Sequence, residues 1–123
     1  MAFLTDRKRA TATGSARQGT ERQWFMTATA MAMVVLVPLF IFTFGFALGR
    51  PHEEVTAHFA RPFPALVTAL MIWVGFMHFK TGLRMVIEDY VHGYAREFWI
   101  NAMTIIAYLL AATGVFAVLK MAL

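Results

Sequence analysis

No cysteine occurs anywhere in the 123 residues. Disulfides, thiolate metal sites and cysteine nucleophiles are therefore excluded. Charge is scarce too: only 15% of residues carry it, where soluble domains carry about 25%. So little polar material cannot cover a water-soluble fold of this length. Apolar residues fill the gap, 59% of the chain, with twelve Phe and nine Met among them. These suit lipid, a cofactor or partner helices, and they also fill ordinary cores. The length allows one domain. The net charge of +4 is not a nucleic-acid signal, because the basic residues flank apolar runs, as membrane topology requires. There is no internal repeat and no low-complexity tract.

Three long stretches hold no charge at all: Gln23 to Gly49, Pro62 to Phe79 and Phe98 to Leu119. Crossing the hydrocarbon takes roughly 20 apolar residues in a helix. The first and third stretches meet that outright. The second is slightly short, but Lys80 and Arg84 have long stems that snorkel, which extends it to about Ile87. Backbone groups in lipid must bond internally, so the spans are helices, and Pro38 predicts a kink in the first. The expected fold is an all-α membrane protein with three transmembrane helices at about 23–49, 63–88 and 97–120. Residues 1–22 form a polar arm without an apolar stripe. The first apolar run starts too late and is too long for a signal peptide.

Orientation follows from Lys and Arg. Arg7, Lys8, Arg9, Arg17, Arg22, Lys80, Arg84 and Arg96 fall on one side, eight of eleven. Arg50, Arg61 and Lys120 fall on the other. The positive-inside rule puts the arm and the Glu88–Glu97 connection in the cytoplasm, with the Arg50–Pro64 loop and the carboxyl terminus in the periplasm. The localisation this predicts is a bacterial inner membrane.

His78 stands out because it lies well inside the second span, 14 residues beyond Pro64. An ionisable group at that depth faces protein or cofactor rather than lipid. It is either a haem-iron ligand, since imidazole suits iron, or a histidine hydrogen-bonded between helices. Helical spacing puts Gly75, His78, Gly82, Met85 and Asp89 on one face. Glycines one turn either side of a ligand leave room for a flat macrocycle; they equally serve close helix packing. His52, His58 and His92 lie in connections, so a six-coordinate haem needs its second ligand from another chain. Glu88, Asp89 and Tyr90 end the second helix. Carboxylates there oppose the helix dipole. A Tyr hydroxyl at the interface can donate to a quinone carbonyl, and an Asp can orient water. The alternatives are an interfacial belt tyrosine and solvated acids pairing with Arg84 or Arg96. Trp24, Trp73 and Trp99 read as belt or packing residues.

Taken together, His78-x-x-x-Gly82-x-x-x-x-x-x-Asp89-Tyr90 resembles the signature of the succinate dehydrogenase hydrophobic membrane anchor subunits. Gly14-Ser15-Ala16-Arg17-Gln18-Gly19-Thr20, followed by Trp24 and Thr29-Ala30, is similar to that family's amino-terminal region. The three-helix layout matches over nearly the whole chain. The resemblance implies part of a heteromeric haem-binding helix bundle in respiratory complex II. His78, between Gly75 and Gly82, would be an axial ligand of haem b, with the second from the larger anchor protein of the complex, its cytochrome b subunit. Asp89 and Tyr90 would border the ubiquinone site near the iron–sulfur subunit, and the flavoprotein subunit would oxidise succinate. The chain alone would not be catalytic. Many relatives carry an Arg beside a haem propionate near the start of the first helix; here the sequence is Met26-Thr27-Ala28-Thr29, which leaves that contact to Arg22 or to the larger anchor protein. Two other readings remain: a haem-free structural or transport membrane protein, and a haem anchor for a different quinone-linked dehydrogenase.

Overall fold

The structure, a computed structural model, describes residues 5–7 and 19–123. Four helices are delimited among residues 19–123: α1 (Gly19–Ala47), α2 (His52–Phe59), α3 (Pro62–Tyr90) and α4 (Tyr94–Ala122). Three of them, α1, α3 and α4, are long and apolar enough to cross a membrane, with mean hydropathies of 2.4, 1.5 and 2.2. The low value belongs to α3, which carries His78, Lys80, Arg84 and Glu88. Most of the expected polar arm, residues 1–4 and 8–18, lies outside the described residues, and residues 19–22 already belong to α1.

The charge-free runs set the helix centres, and local chemistry sets the ends. Pro62 opens α3 in its first turn, where a missing N–H costs nothing. The connection to α4 is only residues 91–93, because Gly93 adopts φ 67° and ψ −153° as its amino-terminal cap. A side chain is strained in that backbone conformation. Gly49, in the turn that follows α1, also takes a positive φ, 74°. Pro38 sits inside α1, and the helix runs on through it to Ala47. The segment expected as the Arg50–Pro64 loop contains α2. Its first turn carries Glu53 and Glu54, which favour the positive end of the helix dipole, and Arg50 pairs with Glu54 at 3.0 Å. Phe59 is buried, and His58 Nε2 donates to the Thr43 carbonyl at 3.0 Å, tying α2 to α1.

Helix α3 is central. It packs against α1 on one side and α4 on the other, each antiparallel to it. The α1–α3 register is read from Arg22 with Glu88, Met26 with Gly82 and Thr29 with His78. Against α4, the pairs are Glu88 with Arg96, Lys80 with Tyr108, and Ile72 with Gly114. The contact stripe of α4 is Ile100, Met103, Ala107, Ala111, Gly114 and Val118, at helical spacing. Its small residues let the two backbones approach. A Cβ on Gly114 would stand 2.9 Å from Ile72 Cγ2, so only glycine fits that approach. Elsewhere, large apolar side chains such as Phe42, Val34 and Phe116 face outward. That is ordinary for helices whose solvent is hydrocarbon.

Candidate functional site

Three elements of the site lie along the second half of α3. The first is His78, partly buried beneath α1. Its Nδ1 lies 3.0 Å from Thr29 Oγ1. Nε2 has no hydrogen bond among the described residues. Thr29 itself is buried, and its oxygen lies 2.9 Å from the Phe25 carbonyl and 3.0 Å from that of Met26. The two glycines flanking His78 have different surroundings. A Cβ on Gly82 would meet the Met26 methyl at 3.2 Å, so α1 fills that space. Beside Gly75 only Met71 of the same helix comes near, at 3.9 Å, and the backbone there is open. Among the described residues no three His, Asp or Glu converge as a metal-binding set.

The second element is an ionic cluster at the end of the bundle where α1 begins, α3 ends and α4 begins. One oxygen, Glu88 Oε1, receives Arg84 Nε at 2.9 Å, Arg22 NH1 at 3.4 Å and Arg96 NH2 at 3.9 Å. These arginines come from three different helices. A carboxylate at a helix carboxyl end is unfavourable by itself, and three cations offset that here. Arg96 Nε is buried without a partner among the described residues. Of the two alternatives weighed for the acids, the pairing with Arg84 and Arg96 holds for Glu88 and not for its neighbour: Asp89 is exposed and forms no ion pair among the described residues.

The third element is the pair Asp89 and Tyr90 at the last turn of α3. Tyr90 is 80% exposed, and Tyr94, across the short turn, is 98% exposed. Among the described residues, little covers either ring. Two grooves flank α3 nearby. One, of about 440 Å³, runs between α3 and α4 and is lined by apolar residues such as Phe79, Leu83, Trp99 and Ile106. The other, of about 530 Å³, has a rim of Arg22, Lys80 and Arg84 above Phe25, Trp73 and Tyr108. Lys80 Nζ donates to the Tyr108 hydroxyl at 2.9 Å and lies 4.3 Å from that ring's centroid. Neither groove is lined by His78, Gly75, Asp89 or Tyr90. Of these four, Asp89 and Tyr90 are exposed, and Gly75 and His78 are partly buried.

Reasoning from sequence missed Met26 opposite Gly82 and the Lys80–Tyr108 bond, and it noted Thr29 without seeing its contact with His78. Each is a contact between helices, fixed by a register that no single helix contains. Thr29 shares its charge-free run with Thr27 and Thr43, so its hydroxyl alone gave no signal.

Comparison with known proteins agrees with the layout. Residues 3–116 match the family model described as succinate dehydrogenase/fumarate reductase transmembrane subunit. The chain is 42% identical over 123 residues to a succinate dehydrogenase hydrophobic membrane anchor subunit of Paracoccus denitrificans. That alignment covers 100% of this chain and 95% of the relative. No solved structure matches.

Proposed function

The chain belongs to the succinate dehydrogenase/fumarate reductase transmembrane subunit family, and we propose that within its complex it supplies one axial ligand to haem b and one wall of a ubiquinone site. The coarser statement needs no proposal: it is a multi-pass membrane anchor subunit of that class of enzyme, and so part of an enzyme complex.

The observation that carries the haem reading is the state of His78. A histidine inside a membrane span is held at one ring nitrogen and left without a hydrogen bond at the other. An imidazole nitrogen left without a hydrogen bond in a membrane span is suited to iron. The open backbone at Gly75 fits a flat ligand beside it. Bound there, haem b would contribute one-electron transfer. With one ligand from this chain, the second axial ligand would come from the larger anchor protein, the cytochrome b subunit. That protein would also cover the open face.

The quinone reading rests on Asp89 and Tyr90. Asp89 lies 11 residues after His78, about 16 Å further along the axis at 1.5 Å per residue. A quinone head needs a wet edge for protons and a dry place for its tail, and the end of a membrane helix offers both. Tyr90 would donate to a quinone carbonyl, and Asp89 would hold water and cationic groups around it. The iron–sulfur subunit would dock over this end, with the flavoprotein subunit beyond it. The chain would sit in a bacterial inner membrane with its amino terminus cytoplasmic.

The test of the ligand is His78→Ala in the purified complex. We expect an altered or lost haem b band in the reduced-minus-oxidised spectrum, with most of the apolar helix undisturbed. An unchanged spectrum would exclude His78 as a ligand.

A further inference from the structure

Thr29 Oγ1 has three possible hydrogen-bond partners and one hydrogen to give. Two of them, the Phe25 and Met26 carbonyls, can only accept. The third is His78 Nδ1, which accepts or donates according to tautomer. Two arrangements are chemically available. In the first, Thr29 gives its hydrogen to the Phe25 carbonyl, the usual habit of a threonine inside a helix, and its oxygen accepts N–H from His78 Nδ1. Nε2 then carries a lone pair. In the second, Thr29 donates to Nδ1, and Nε2 carries a hydrogen. That hydrogen has no acceptor among the described residues, and an N–H left unbonded inside a membrane is costly. The first arrangement bonds both hydrogens and leaves a lone pair on the nitrogen a metal would take.

We propose that Thr29 is the positioning residue of the haem ligand: its hydroxyl oxygen accepts the Nδ1 hydrogen of His78, fixes the ring's tautomer and orientation, and directs the Nε2 lone pair outward to the iron. The inference rests on the reading of His78 as a haem ligand. It explains why a buried hydroxyl of α1 stands opposite the one histidine in a span. Partners of this kind also raise the basicity of a ligating imidazole. A more basic ligand favours the ferric state, so removing the acceptor moves the haem midpoint potential upward.

The experiment uses the intact complex with Thr29→Val, which keeps the shape and removes the hydroxyl, and Thr29→Ser, which keeps the hydroxyl. Haem content, potentiometric titration and the low-spin ferric resonance are measured for each. Thr29→Val should raise the haem potential and displace the resonance, and Thr29→Ser should restore both towards wild type. Thr29→Ala gives the same reading if valine hampers assembly. Wild-type potential and resonance in the variants without a hydroxyl would overturn the inference and leave Thr29 as a packing residue. His78→Ala, run beside them, separates the two failures. If it leaves the haem spectrum unchanged, the ligand assignment has failed and the role of Thr29 falls with it. If it alters the spectrum while Thr29→Val changes nothing, only the positioning role is lost.

Discussion

Tyr90 closes α3 with 80% of its surface exposed, and it contacts no other ring among the described residues. An interfacial belt tyrosine and a quinone donor share that description and differ in whether quinone reduction needs the hydroxyl. Losing one hydrogen bond costs about 0.5–1.5 kcal/mol and more with a charged partner, which corresponds to a rate change of several-fold. Tyr90→Phe should therefore slow quinone reduction several-fold or more. Haem content should stay near normal, as should succinate oxidation with an artificial soluble acceptor. Equal falls with both acceptors would make Tyr90 an assembly residue, and no fall with either would leave it in the aromatic belt. His78 drew attention in the sequence because an ionisable group is out of place deep in an apolar span, and Tyr90 because it follows two carboxylates at the end of a helix. Thr29 was not, because threonine is ordinary in a membrane helix until its partner on α3 is known. Glu88 was legible as an anomaly, but its three arginines come from three helices, and only Arg84 shares its own.

Helices α3 and α4 are joined by small residues, and Gly114 is a point of close approach between them. A Cβ there would lie 2.9 Å from Ile72 Cγ2 and 3.3 Å from its Cδ1. A β-branched side chain in a packed seam has little freedom to retreat. Gly114→Leu should cost about 1–3 kcal/mol through overpacking, read as a lower thermal midpoint and less assembled complex in membranes. Gly82 makes a contrast. Its neighbour is the free end of Met26, at 3.2 Å, and a methionine methyl moves easily. Gly82→Ala should leave assembly near wild type, whereas Gly82→Leu should press α1, and Thr29 with it, away from His78 and disturb the haem band. A milder effect for Gly114→Leu than for Gly82→Ala would contradict the packing described. The three long helices could be read from sequence because a charge-free run of that length has few other uses. The short α2 could not: its eight residues are mostly polar, and what holds them is Phe59 and the His58 bond to α1, both contacts beyond the segment. Gly114 escaped notice for the same reason, since its meaning lies on Ile72.

The molecule as a whole is polarised along its axis. The antiparallel arrangement of α1, α3 and α4 gathers Arg22, Arg84 and Arg96 at one end of the bundle, with Lys80 one turn further in along α3. Arg50 and Arg61 flank α2 at the opposite end, where Lys120 falls in the last turn of α4. In the sequence, eight of the eleven Lys and Arg residues fall on one side of the three charge-free runs. Translocating that many cations is unfavourable, so the basic end should stay in the cytoplasm. Three spans then place Leu123 on the far side. A reporter that is active only after export, fused behind Leu123, should be active, and a reporter that works only in the cytoplasm should be silent there. The Arg22–Glu88 pair adds a control. It draws α1 to α3 at the basic end, but orientation depends on Lys and Arg and hardly on acids. Glu88→Gln should therefore leave the fusion pattern unchanged while loosening the cluster. Cytoplasmic activity of the Leu123 fusion would reverse the whole orientation. Asp89 and Tyr90 would then face the periplasm, away from any cytoplasmic iron–sulfur partner, and the quinone site as drawn would be lost with them.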